Sequence, residues 1–79
     1  MTMFHYVYVL QNGENELRTG YTINVARKLE QHNQDGQQWK VIYCEAYPHL
    51  SDAMRRAEYL KSIHGEKLIK QRLQRYLWK

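Results

Sequence analysis

Residues 4–10, FHYVYVL, alternate β-branched and aromatic side chains with the period of two that marks a strand, and LRTGYT, residues 17–22, offers a second extended run. The intervening QNGENE carries an Asn12-Gly13 turn signal, so the two runs predict an antiparallel hairpin. A hairpin alone is marginal in water and needs a further strand or a helix over its apolar face. The rest of the chain must supply that cover.

From Ile23 the period changes. Asn24 can cap a helix in which Val25 and Leu29 stand four apart, and the pattern runs out in NQDGQQ, residues 33–38; this predicts a helix of about three turns. WKVIYCEAY, residues 39–47, reads as a third strand, with Ile42, Cys44 and Ala46 on one face and Val41, Tyr43 and Tyr47 on the other. Cys44 is then a small buried hydrophobe. Pro48 ends that strand, Ser51 caps the next helix, and Gly65 stops it before a last amphipathic helix with Leu68, Ile69, Leu73, Tyr76 and Leu77 inward. The order is ββαβαα: a single α+β domain over residues 1–79, with helices packed on a small three-stranded antiparallel sheet.

A chain of 79 residues with one cysteine has a small core and no disulfide, so its seven tyrosines and two tryptophans carry more of the packing than usual. The lone cysteine fits a reducing compartment, and no segment has a signal peptide's pattern or approaches the roughly 20 apolar residues of a membrane span. The expected location is the cytoplasm, with no membrane partner. The net charge of +4 is uneven: after Gly65 come Lys67, Lys70, Arg72, Arg75 and Lys79 against Glu66 alone. Such a stripe suits phosphate contacts with a polyanion, or is a solvated helix face. No CxxC, HExxH, P-loop or GxGxxG occurs, and the histidines at 5, 32, 49 and 64 fall on four different elements or connections.

Read together, YVY at 6–8, TGYT at 19–22, VARKLEQHN at 25–33 and YLKS at 59–62 resemble the GIY-YIG nuclease family, also called the URI domain, from Phe4 to about Ile69. The resemblance implies the ββαβαα fold and metal-dependent hydrolysis of a nucleic-acid phosphodiester, with DNA as substrate. In that family a Glu holds one Mg²⁺ or Mn²⁺, an Arg steadies the phosphate, and tyrosines with a nearby His manage the attacking water. Tyr8 matches the tyrosine of the first motif and Gly20 the glycine of the second, where a missing side chain permits close approach. His32 matches the histidine. Arg18 stands where the second motif has its tyrosine: a fixed cation that binds phosphate but cannot act as a base at neutral pH. Lys28 stands where the family has Arg, one turn before His32, keeping the charge but not the planar fork; Arg27 points about 100° round the helix.

Alignment on YLKS places Ala57 at the family's metal-binding Glu, with Glu58 as the neighbouring acid. Three explanations stay open: a substitution introduced to trap a nuclease, a member that has lost catalysis, and takeover of the metal by Glu58. If catalytic, Tyr8 and His32 manage the water while Lys28 and Arg18 bind phosphate, with Gly20, Lys67, Lys70 and Arg72 contacting substrate. The alternative is a non-catalytic nucleic-acid-binding module using the same cations, or a protein-interaction module using exposed Tyr and Trp78. A homodimer or a separate partner is expected to supply targeting.

Overall fold

The computed structural model describes residues 3–77. Its middle strand is the first one: β1 (His5–Gln11) pairs antiparallel with β2 (Leu17–Thr22) on one side and β3 (Lys40–Tyr47) on the other. Residues 7–11 of β1 are buried throughout, as expected of a strand covered on both faces. Their alternation divides the interior. Val7 and Val9 pack with Ala53, Ala57, Leu60 and Ile69, while Tyr8 and Leu10 pack with Trp39 and Leu29.

The hairpin forms as the sequence predicts, by a more specific route. Asn12 Oδ1 accepts the Glu14 and Glu16 backbone N–H groups at 3.0 and 2.9 Å, an Asx-type closure, and the positive φ of 63° falls on Asn15 instead of Gly13. On the other side of β1 a bulge between Val9 and Leu10 shifts the register, so that Tyr43 faces Val9 and Val41 faces Leu10. The extra residue, Ile42, packs on the Val7–Val9 cluster with Tyr43 and Tyr47, where strict alternation puts it on the opposite face. Cys44, opposite Tyr8, is exposed and not buried. Alternation assigns it a face but not a cover.

Helix α1 (Val25–His32) is capped as expected, Asn24 Oδ1 accepting the Arg27 N–H at 3.1 Å. It spans only eight residues because Asn33 leaves the helix to bracket Trp39: its Nδ2 donates to the Trp39 carbonyl at 3.0 Å and its Oδ1 accepts the Trp39 N–H at 2.7 Å. Helix α2 (Leu50–Lys61) begins one residue before Ser51, with His49 in the capping position and Asp52 in the first turn, where an acid favours the positive helix end.

The break between α2 and α3 (Ile63–Arg72) falls at Ser62, not Gly65. Ser62 Oγ donates to the Tyr59 carbonyl at 2.5 Å and accepts the Gly65 N–H at 3.2 Å, ending one helix and capping the next. Gly65 sits buried inside α3, where a Cβ would lie 2.7 Å from the Tyr59 carbonyl carbon and nearer still to Tyr59 O and Leu60 Cα. The two helices therefore meet backbone to backbone. Ile69 then reaches the core, with Leu68 and Leu73 partly buried beside it. The last helix of the sequence reading divides, α4 (Gln74–Leu77) following after Leu73. Trp78, Lys79 and the side chains of Tyr76 and Leu77 lie outside the described residues. Among those residues no helix is long and apolar enough to cross a membrane.

The α2–α3 contact makes a strong prediction. Gly65→Ala forces backbone apart from backbone, and overpacking of this kind costs about 3 kcal/mol. Urea unfolding should show a correspondingly lower midpoint, while Ser62→Ala, which removes a cap, costs about 1 kcal/mol.

Candidate functional site

The face of β1 that carries Tyr8 brings together residues from four segments. Gly20 lies directly across from Tyr8 in the β1–β2 register, and a Cβ there would stand 2.7 Å from Tyr8 Cζ, so the phenol crosses the strand through the space glycine leaves. This carries Tyr8 Oη to 3.5 Å from His32 Nε2 at the end of α1, the two rings meeting edge-on with centroids 6.2 Å apart. His32 Nδ1 in turn lies 3.4 Å from Arg18 Nη1. Arg18 lies over the ring of Trp39, its guanidinium carbon 4.7 Å from the centroid, a cation–π contact across a nearly buried indole.

Donor chemistry orders this chain of contacts. A guanidinium only donates, so Nδ1 of His32 accepts from Arg18, and the ring proton resides on Nε2, where it donates to Tyr8 Oη. The phenol hydrogen then meets no acceptor among the described residues, on a residue that is 3% exposed. Burial raises the Tyr8 pKa against the opposing charge of Arg18, so the group is a phenol and not a phenolate at neutral pH. Burial also lowers the His32 pKa, with Arg18 and then Lys28 adding to the effect and Asp35 opposing it. His32 is therefore neutral near pH 7. Lys28 stands one turn before it on α1, close enough for its charge to be felt. The cluster offers two cations and a phenol donor around a neutral imidazole, a set suited to receiving an anion.

Two members escape local sequence reasoning. Trp39 holds the Arg18 guanidinium, yet the two are remote in sequence, and nothing in the run WKVIYC marks the first residue as a platform. Asn33 fixes Trp39 through its backbone; its only signal is its place beside His32 in the HN pair.

Among the described residues no carboxylate hydrogen-bonds to Tyr8, Arg18 or His32, and Asp35 acts on His32 through its charge alone. Ala57 is 1% exposed among Val7, Val9, Ala53, Leu60 and Ile69, on the opposite face of the sheet. Glu58 points to solvent, its side chain 78% exposed and paired with Lys61 at 3.7 Å. Asp35 is exposed and accepts the Gln37 backbone N–H. Glu45 is fully subscribed. Its Oε1 accepts from Tyr47 Oη at 2.8 Å and Arg56 Nε at 2.9 Å, and its Oε2 from Tyr43 Oη at 2.5 Å and Arg56 Nη2 at 3.0 Å. Among the described residues no group of three or more His, Cys, Asp and Glu side chains could hold a metal. A hard divalent ion is ordinarily anchored by one or two carboxylates, so the residues at this site do not fit a protein-held Mg²⁺ or Mn²⁺.

The structure also separates the basic helix from the cluster. Lys67, Lys70 and Arg72 lie on α3, which packs against α2 on the Val7–Val9 side of the sheet. There Lys70 pairs with Glu66 at 3.1 Å, and Arg72 Nη1 donates to Tyr43 Oη at 3.4 Å. Tyr8, Gly20, Arg18, Lys28 and His32 share one face; the α3 cations belong to the other.

A three-stranded sheet with a short helix of donors on one face and a helix pair on the other makes a small α+β domain. Residues 4–77 match the GIY-YIG catalytic domain, and the chain belongs to that family. It is similar to UPF0213 proteins. One from Staphylococcus haemolyticus is 32% identical over 84% of this chain and 90% of its own length, and one from Natronomonas pharaonis is 35% identical over 85% and 88%. A third, from Pediococcus pentosaceus, is 41% identical over 68% of this chain and 64% of its own. No solved structure matches the chain.

The Glu45 cluster sets the acid stability of the fold. Burial works to raise the Glu45 pKa, but hydrogen bonds from Arg56, Tyr43 and Tyr47 outweigh it and hold the carboxyl at about 2, against an ordinary 4.5. The unfolded chain takes up this proton first, so the group's contribution is complete above pH 4.5 and is lost as pH falls towards 2. The loss amounts to about 3 kcal/mol. Denaturant unfolding at stepped pH should show this slope in the wild type; Glu45→Gln should be less stable at pH 7 and lack it.

Proposed function

We propose that this chain is a nucleic-acid-binding module built on a nuclease scaffold, with DNA as its polyanion, and that it holds a phosphodiester between Arg18 and Lys28. Tyr8 donates its hydroxyl to a phosphoryl oxygen, and His32, held in one tautomer by Arg18, supports that hydroxyl from behind. The observation that carries the reading is the charge of the cluster: among the described residues Arg18 and Lys28 both act on His32, while Asp35, the acid that acts on it, has the smaller effect and is exposed. In the family, a carboxylate holding one divalent ion contributes a net charge of +1. Here Arg18 contributes the same charge without an ion, and its fork matches two phosphoryl oxygens. With Ala57 in the core, the chain has the electrostatics of phosphate binding without the anchor for a metal-activated water.

One observation favours a second reading, residual hydrolysis with Mg²⁺ or Mn²⁺ delivered by the substrate: Tyr8, Gly20 and His32 keep their mutual geometry. A plasmid assay decides between the two. Supercoiled DNA incubated with the protein and either ion should remain intact, while a labelled duplex is retained at low salt and released as salt rises. The salt slope should correspond to about two released counterions and fall by roughly one in Arg18→Ala. Nicking by the wild type that disappears in Lys28→Ala would overturn the binding reading, as would absence of retention at low salt.

The pH dependence of binding follows from His32. Its pKa lies below 6.5 in the free protein, whereas a bound phosphate draws Arg18 away from Nδ1 and, with that acceptor released, favours the imidazolium. Binding therefore takes up a proton, and affinity should rise as pH is lowered from 7.5 towards 5.5. The same group opposes stability of the free fold in that range, because the unfolded imidazole protonates first, at 6.5. His32→Ala should bind with no such rise, which anisotropy titrations at several pH values will show.

A further inference from the structure

Beside the cluster, the tip of the β1–β2 hairpin and the loop between α1 and β3 enclose a groove of about 420 Å³, lined by Asn12, Asn33, Gln37, Gln38, Trp39 and Lys40. Its size is within the roughly 300–1,000 Å³ of small-ligand clefts. A depression of about 320 Å³ continues it past Gln37 and Gln38 to Glu14 and Glu16. Trp39 is the shared wall: it lines the groove, carries the Arg18 guanidinium and lies 6.3 Å from the His32 ring, centroid to centroid.

We infer that this groove is the subsite for an unpaired nucleobase whose own phosphodiester is held at Arg18, an assignment that rests on the nucleic-acid reading above. The amides divide into two kinds. Asn33 is spent on the Trp39 backbone and Asn12 on its own turn, where Nδ2 also donates to Glu16 at 2.9 Å; together they fix the two walls. Gln37 and Gln38 are exposed, and neither side chain makes a hydrogen bond among the described residues. A free carboxamide presents one donor and one acceptor edge, the complement of a base edge, as in the bidentate pairing of Gln with adenine.

Charge selects which part of a nucleotide enters. Arg18, stacked on the shared Trp39 wall, attracts phosphate at one end with Lys40 adding positive charge along that wall, while Glu14 and Glu16 at the other end repel it and tolerate an uncharged ring. A strand crossing this boundary places its backbone at the cations and a base among the amides. A base still paired in a duplex cannot reach the groove with its hydrogen-bonding edge, so the preferred ligand is single-stranded or splayed.

The test compares a short labelled oligodeoxyadenylate with a fully abasic oligomer of equal length and charge, by anisotropy at low salt. The wild type should prefer the base-containing strand by about 5-fold, the lower end of what one base-edge pair discriminates. Gln37→Ala combined with Gln38→Ala should bind both strands equally, with the abasic affinity, salt slope and thermal midpoint unchanged, since both side chains are exposed and unbonded. Equal binding of both strands by the wild type, or a preference that survives in the double variant, overturns the groove assignment and leaves the phosphate site standing. Failure of both strands to bind overturns the nucleic-acid reading and the groove with it.

Discussion

The alternation of side chains along β1 is the constraint on which the rest depends. As the middle strand, it cannot send an apolar residue to one face without sending its neighbour to the other. Val7 and Val9 therefore gather α2 and α3, and Tyr8 and Leu10 gather α1 and Trp39. One strand serves as the floor of the core and the floor of the candidate site. A slip of one residue would put the phenol into the Val7–Val9 core and a valine at the site.

On the site face the decisive contact is the stacking of Arg18 on Trp39. A free arginine side chain loses considerable entropy when an anion orders it. Here the indole has already confined the guanidinium, and Asn33 has already confined the indole. His32 reads the position of that cation through Nδ1 and passes it to Tyr8 through Nε2. The arrangement is a relay of orientation, not of protons: each group sets the direction in which the next can donate.

Much of this was legible in the chain because it is encoded locally. The hairpin, the Asn24 cap, the third strand and the grouping of Tyr8, Gly20, Arg18, Lys28 and His32 follow from spacing of two or of three to four, or from a motif. What escaped depends on contacts between distant segments. Gly65 looks like a helix stop because a stop and a close helix crossing exploit the same missing side chain; only the fold distinguishes them. Alternation assigns Cys44 a face, but whether that face is covered depends on what distant segments pack there. Lys67, Lys70 and Arg72 mark a charged helix face, yet the side of the sheet on which α3 packs is settled by Ile69 and by its crossing with α2. The platform role of Trp39 was invisible because its partner comes from another strand of the sheet.

The sheet also acts as an insulator. The Val7–Val9 core and the Arg18–His32 cluster are supported by the same strand from opposite faces, so substitutions on the two sides should be nearly additive. That independence loosens the tie between stability and chemistry. A substitution at Arg18 or Lys28 leaves the Val7–Val9 core, with Ala57 in it, unchanged. A scaffold divided in this way can change the chemistry of one face while keeping the core of the other.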